Sequence, residues 1–171
     1  EAYIGQANAC TGQIDLLEGK VEEAAQAYRE ALDLFAAMGS REDVAMMRLR
    51  LADIYPRLGD VDAAQKVLTQ AHATPGAGAD TTIVLAESHV ERSPDEALTL
   101  VQEVRSKDPQ LKHALVVEGA AQRRLGAFKE ARDALGSRLV DDPANTGALK
   151  EMAKLELDLG NSEAAIDALT K

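Results

Sequence analysis

The sequence predicts an all-α chain of antiparallel helix pairs, and three observations carry that expectation. Apolar residues make up 46% of the 171, yet aromatics only 3% with no Trp. Ala and Leu must therefore supply the core, which suits closely approaching helices better than strands. A phrase also recurs: a turn, an Ala five residues after the turn's Gly, and a large residue four further on. Its alanines, Ala24, Ala64, Ala97, Ala131 and Ala165, are spaced 40, 33, 34 and 34 residues apart. Gly- and Pro-containing breaks fall between the copies, where helices have to stop.

Taken in order, the first copy runs from Gly19 through Ala24 and Tyr28 to Ala31. In the second, Val44 to Leu58 sets Leu49, Leu51, Ala52 and Tyr55 at helical spacing, and Val61 to Ala71 does the same with Ala64, Val67, Leu68 and Ala71. These helices meet at Gly59-Asp60, where Gly tolerates positive φ and Asp caps the helix that follows. Ala52 and Ala64 are small enough for the axes to approach within roughly 8–10 Å. Pro56 lies late in the first helix of this pair and predicts a kink or an early end.

The run Thr74-Pro75-Gly76-Ala77-Gly78 reads as a long loop between repeats, the alternative being a boundary between subarrays. The third copy is worn: Ser93 stands in for the turn Gly, followed by Pro94, Ala97 and Val101. Gly126, Ala131 and Leu135 form the fourth, and Gly160, Ala165 and Leu169 the fifth. Gly119 and Gly136 fall inside helices, at a cost of roughly 1 kcal/mol each. Asp108-Pro109 and Asp142-Pro143 close second helices, because Pro disfavours helical conformation in the residue before it. The units are then approximately 1–40, 41–76, 77–109, 110–143 and 144–171. A lone pair of such helices leaves apolar faces uncovered, so neighbouring pairs must stack.

Charge and chemistry narrow the function. A formal charge of −10 argues against nucleic acid and anionic membrane surfaces, and no apolar run approaches the roughly 20 residues of a membrane helix. Cys10 is the only cysteine, which excludes an internal disulfide. It reads as a small buried hydrophobe beside Ala9 and Gly12. His72, His89 and His113 stand in different units without partners at metal-ligand spacing, so no metal or other cofactor is expected. Gly76-Ala77-Gly78 is not followed by the Gly-Lys-Ser/Thr of a phosphate loop. Glu22-Glu23 and Asp141-Asp142 fit solvated helix ends rather than acid–base pairs. No catalytic constellation emerges, and the chain reads as a non-enzyme.

At this point the residues resemble a known family, the tetratricopeptide repeats, in about five units. Leu51, Ala52 and Tyr55 fill its first-helix positions and Gly59, Ala64 and Ala71 its turn and second helix. Leu85-Ala86 and Met152-Ala153 repeat the first-helix pair, and Tyr28, Pro109 and Pro143 supply further landmarks. No unit has the family's Trp. The resemblance implies a right-handed superhelical solenoid, and the one 40-residue spacing is similar to that of bacterial regulatory and signalling members. It also implies a scaffold whose first helices line a concave face that binds a partner peptide or domain. Carried across, the partner-binding candidates are Gln6, Gln13, Leu49, Asp53, His113, Arg123, Lys150 and Lys154, with Ala9, Met46, Val116, Ala120 and Leu157 beside them. Arg123, Lys150 and Lys154 would form a positive strip for an acidic partner segment; alternatively Lys150 and Lys154 pair with neighbours such as Glu151 and Asp158. Gln6 and Cys10 stand where members that clamp C-terminal carboxylates carry Lys and Asn, so that clamp is not expected. A second expectation is self-association into a homo-oligomer, as an assembly module of a larger regulatory or export protein. The chain begins and stops inside helices without polar caps, which fits a fragment of a longer protein. The compartment stays open, with cytoplasm preferred to periplasm.

Overall fold

The computed structural model describes residues 1–75 and 78–170, and among these every regular element is helical. In chain order they are α1 (Ala2–Leu17), α2 (Val21–Ala37), α3 (Arg41–Ile54), α4 (Val61–His72), α5 (Ala79–His89), α6 (Pro94–Lys107), α7 (His113–Arg124), α8 (Phe128–Asp141), α9 (Thr146–Asp158) and α10 (Ser162–Leu169). The chain divides into two compact units, Glu1–Thr81 and Thr82–Lys171. Of the long loop between α4 and α5, Gly76 and Ala77 lie outside the described residues.

The repeated phrase acts through its turn. Gly19, Gly59, Gly126 and Gly160 all take φ between 77 and 79°, and Gly39, between α2 and α3, takes 71°. At Gly19 the amide donates to the Leu16 carbonyl and that of Lys20 reaches back to Asp15, 2.8 Å away. The same pair of bonds closes the helices ending before Gly39, Gly59, Gly126 and Gly160. A left-handed Gly lets the last carbonyls be satisfied and sends the chain back along its partner. Asp60 then caps α4 by accepting from the Ala63 amide, and Asn145 caps α9 by accepting from Ala148.

Proline sets the other stops. Asp108 and Asp142, each before a Pro, leave the helical region at φ −138° and −146°, and α6 and α8 end immediately before them. Pro56 ends α3 as an α-helix at Ile54, and the chain continues through a short 3-10 helix, Tyr55–Leu58.

All five phrase alanines are buried, as are Leu51, Ala52, Leu68 and Ala71 of the second pair. In the first pair Gly5 lies under Phe35 and Gly12 under Tyr28, a register in which one helix climbs as the other descends. A Cβ on Gly119 would stand 2.6 Å from Leu135 Cγ and 3.2 Å from the Ala131 carbonyl oxygen. That glycine is required by the contact between α7 and α8, where sequence alone registers only a loss of helix propensity. Leu135 joins Val116, Ala131, Ala148 and Leu155 in a core that spans α7, α8 and α9.

Cys10 corrects an expectation: it is exposed. Gly5 and Gly12 turn one face of α1 toward α2, so Tyr3, Cys10, Ile14 and Leu17 are left on the outside.

Candidate partner-binding clefts

Each unit holds a cleft lined by its first helices. In the first unit a space of about 220 Å³ is lined by Gln6, Ala9, Cys10 and Gln13 of α1 and by Asp43, Met46, Met47 and Arg50 of α3. Tyr28 and Phe35 of α2 floor it. The Tyr28 hydroxyl donates to Gln13 Oε1 at 3.3 Å, which orients that amide, and burial pushes the phenol above its ordinary value. Leu49 belongs to a neighbouring hollow of about 540 Å³ with Arg41, Met46, Thr74, Pro75 and Thr81. Asp53 lies outside both, exposed and paired with Arg57 at 3.4 Å.

The second unit's cleft, about 270 Å³, brings together His113, Lys150 and Lys154. Val90, Val116, Val117 and Ala120 supply aliphatic lining, and Glu87, Glu91 and Glu151 complete the charged rim. Helical spacing explains the convergence: Val116 and Ala120 are four apart on α7, as are Lys150 and Lys154 on α9, so each pair shares a face. Position along a first helix could find these residues. Glu87, Val90 and Glu91, at the end of α5 and just past it, are not among the positions carried across, although Leu85-Ala86 mark α5 as a first helix.

Electrostatically the rim is mostly self-satisfied. Glu87 faces His113 at 3.6 Å, Arg124 reaches Glu91 at 2.6 Å, and Lys154 meets Glu151 at 2.5 Å. The Glu87 carboxylate beside it holds His113 above the ordinary imidazole value, against opposing effects of burial and Arg138. Lys150 is exposed and makes no ion pair among the described residues. Arg123 is placed differently from its lysine neighbours. Only 8% exposed, it turns inward to hold Glu151 at 3.4 Å and Asp158 at 2.7 Å, tying α7 to α9.

Among the described residues no group of three or more His, Cys, Asp or Glu side chains converges as a metal site requires. None of the described helices is long and apolar enough to cross a membrane.

Stacked helix pairs with clefts between their first helices define a helical-repeat scaffold. The chain belongs to the tetratricopeptide-repeat family, whose model matches residues 12–78 and 90–148. Among solved structures, the chain is similar to PilW, a type IV pilus biogenesis factor, at 19% identity and a TM-score of 0.80, covering 98% of this chain and 76% of that one. It is similar to MamA at 17% identity and 0.67, covering 93% and 90%. It is also similar to YrrB, described as a tetratricopeptide-repeat protein with an unusual peptide-binding site, at 18% identity and 0.64, covering 95% and 81%. No curated protein matches its sequence significantly. Members of the family are generally interaction modules rather than enzymes, and the chain is a protein-interaction scaffold of that class.

Proposed function

We propose that the chain is a non-catalytic scaffold that holds a segment of a partner protein on its concave, first-helix face, and that the second unit's cleft is the principal contact. The observation that carries this reading is the convergence of His113, Val116, Ala120, Lys150 and Lys154, from two different first helices, around one aliphatic floor. An apolar floor with a few charged groups at its rim is the usual make-up of a recognition site. The peptide-binding site described for YrrB supports the reading by analogy of fold. An acidic segment would meet Lys150 and Lys154, and Gln6 and Gln13 would serve a second contact in the first unit's cleft. Taking residues 1–171 as one array of five helix pairs is part of the same proposal.

The test is affinity capture of partners from cell extract by the native chain and by two variants. Ala120→Arg fills the cleft and Lys150→Glu reverses its spare charge; neither residue is a partner in the Arg123 network. A partner captured by the native chain and lost with Ala120→Arg supports the reading. Equal capture by all three sinks the cleft as the contact.

A second reading, self-association as an assembly module, is favoured by one observation. Tyr3, Ile14 and Leu17 of α1 are 92%, 55% and 79% exposed, an apolar strip of the kind that marks interaction surfaces. Sedimentation over a hundredfold concentration range decides it: a rising mass abolished by Leu17→Glu supports it, and a constant monomer mass excludes it.

A further inference from the structure

The second unit's cleft carries more specific information about its occupant than a general affinity for peptides. We propose that it selects an internal segment in which a branched aliphatic side chain stands next to an Asp or Glu, the aliphatic group resting on Val90, Val116, Val117 and Ala120 and the carboxylate pairing with Lys150. This rests on the reading of the cleft as the partner-binding surface.

The lining decides the first half. Val90, Val116, Val117 and Ala120 are each less than 8% exposed and offer only hydrocarbon side chains to the space. At about 270 Å³ the cleft is smaller than the roughly 300–1,000 Å³ of sites for whole small molecules, and suits a side chain or two. A polar side chain seated there would lose its water without finding a partner on the floor.

The charges decide the second half. The molecule as a whole is acidic, at −10, and steers basic partners toward itself at long range. At this rim the sign of the available charge is opposite. Glu87 is engaged by His113, Glu91 by Arg124, and Glu151 by both Arg123 and Lys154. Lys150 alone among the rim's charges has no ion-pair partner among the described residues. A carboxylate on the occupant completes the set, whereas an occupant's ammonium group would meet carboxylates already held and one free like charge. One flexible ammonium is a point charge rather than a fork of converging donors. It therefore fits a side-chain carboxylate along a segment, and Arg123, turned inward, adds no second donor for a chain terminus.

The test uses the full chain and four synthetic peptides at up to millimolar concentration. Three are acetylated and amidated repeats: Leu-Glu, Leu-Lys and Ser-Glu. The fourth is a single Leu-Glu unit with a free C-terminus. Amide chemical shifts locate binding and their concentration dependence gives affinity. The Leu-Glu repeat should move the amides of Val116, Ala120 and Lys150, with Leu-Lys and Ser-Glu weaker by roughly tenfold. Lys150→Glu, at an exposed position that leaves the fold intact, should reverse the order of Leu-Glu and Leu-Lys. Equal affinity of Leu-Glu and Leu-Lys at those same amides overturns the carboxylate assignment while leaving the cleft a binding surface. Binding there only by the peptide with a free C-terminus overturns it in favour of a chain end. Shifts confined to other residues, or none with any peptide, overturn this proposal and the reading of the cleft together.

Discussion

The two first-helix clefts are closed by different means. In the first unit, glycines on α1 admit aromatic rings from α2, Phe35 beneath Gly5 and Tyr28 beneath Gly12, each ring about 3.1 Å from where a Cβ would stand. The result is a floor of rings and methionines with amide groups above it. In the second unit, Gly119 admits Leu135 more closely still, and the work of joining α7 to α9 falls partly to the inward-turned Arg123. Charge in the first cleft is thus peripheral, while in the second part of it is structural. A cation seen on a binding face is therefore not always available to a ligand. Of the three basic residues expected to form a positive strip, Arg123 holds the unit together, Lys154 is paired, and Lys150 is spare.

The sharpest way to break that contrast is Arg123→Glu. It sets a third carboxylate against Glu151 and Asp158 in a nearly buried position, and removing one member of such a pair costs on the order of 3–5 kcal/mol. The exposed Arg50→Glu in the first cleft should change stability by less than about 0.5 kcal/mol. Urea denaturation followed by circular dichroism measures both. Similar midpoints for the two variants would refute the structural role of Arg123. The same result governs binding experiments, since charge reversal at Arg123 reports on folding whereas reversal at Lys150 reports on recognition.

Next in size is the helix contact. Gly119→Ala gains roughly 1 kcal/mol of helix propensity but forces a methyl against Leu135 Cγ and the Ala131 carbonyl, an overpacking cost of about 1–3 kcal/mol. A net loss of up to about 2 kcal/mol is expected. Gly12→Ala meets only the edge of the Tyr28 ring at 3.1 Å and the Ala24 carbonyl at 3.2 Å, and should come out within about 1 kcal/mol of neutral. A larger loss at Gly12 than at Gly119 would reverse the ranking of the two contacts. Where the units are alike, the effects should be alike: Asp60→Ala and Asn145→Ala each remove an N-cap and should each cost about 1 kcal/mol.

These contrasts separate what local chemistry writes into the sequence from what it does not. The turn glycines, the Asp60 cap, the breaks before Pro109 and Pro143 and the shortened α3 at Pro56 all follow from rules acting within a few residues. They were legible for that reason. The phrase alanines were legible too, because a spacing near 34 repeats the same packing position. Cys10, Gly119 and Arg123 depend instead on which side of a helix meets which neighbour. Cys10 stays exposed at the first cleft, and Gly119 is explained by Leu135 and the Ala131 carbonyl across the helix pair. The partners of Arg123 lie 28 and 35 residues further on, close to one repeat length. Acidic residues one period beyond a first-helix Arg are the signal that could have located them. The composition of the second cleft was half legible: the first-helix positions carried across fall on α7 and α9, while Glu87, Val90 and Glu91, at the end of α5 and just past it, are not among them.

The smallest expected effect lies at that cleft, where His113 of α7 faces Glu87 of α5. Glu91, Lys150, Glu151 and Lys154 line the same cleft and Arg138 of α8 opposes protonation. The folded imidazole titrates above the unfolded value of about 6.5. Its protonated form is thus favoured by folding: the stabilisation is fully present below about pH 6.5 and is lost as pH rises through the higher folded value. Both side chains are about half exposed, so solvent screening keeps the contribution below about 1 kcal/mol. Unfolding free energy compared between roughly pH 5.5 and 8 should therefore fall slightly more in the native chain than in His113→Gln or Glu87→Gln. An identical pH slope in all three would assign the dependence to other groups. A slope lost in His113→Gln but kept in Glu87→Gln would leave the imidazole as the titrating group and transfer its partner role to Glu91 or Glu151.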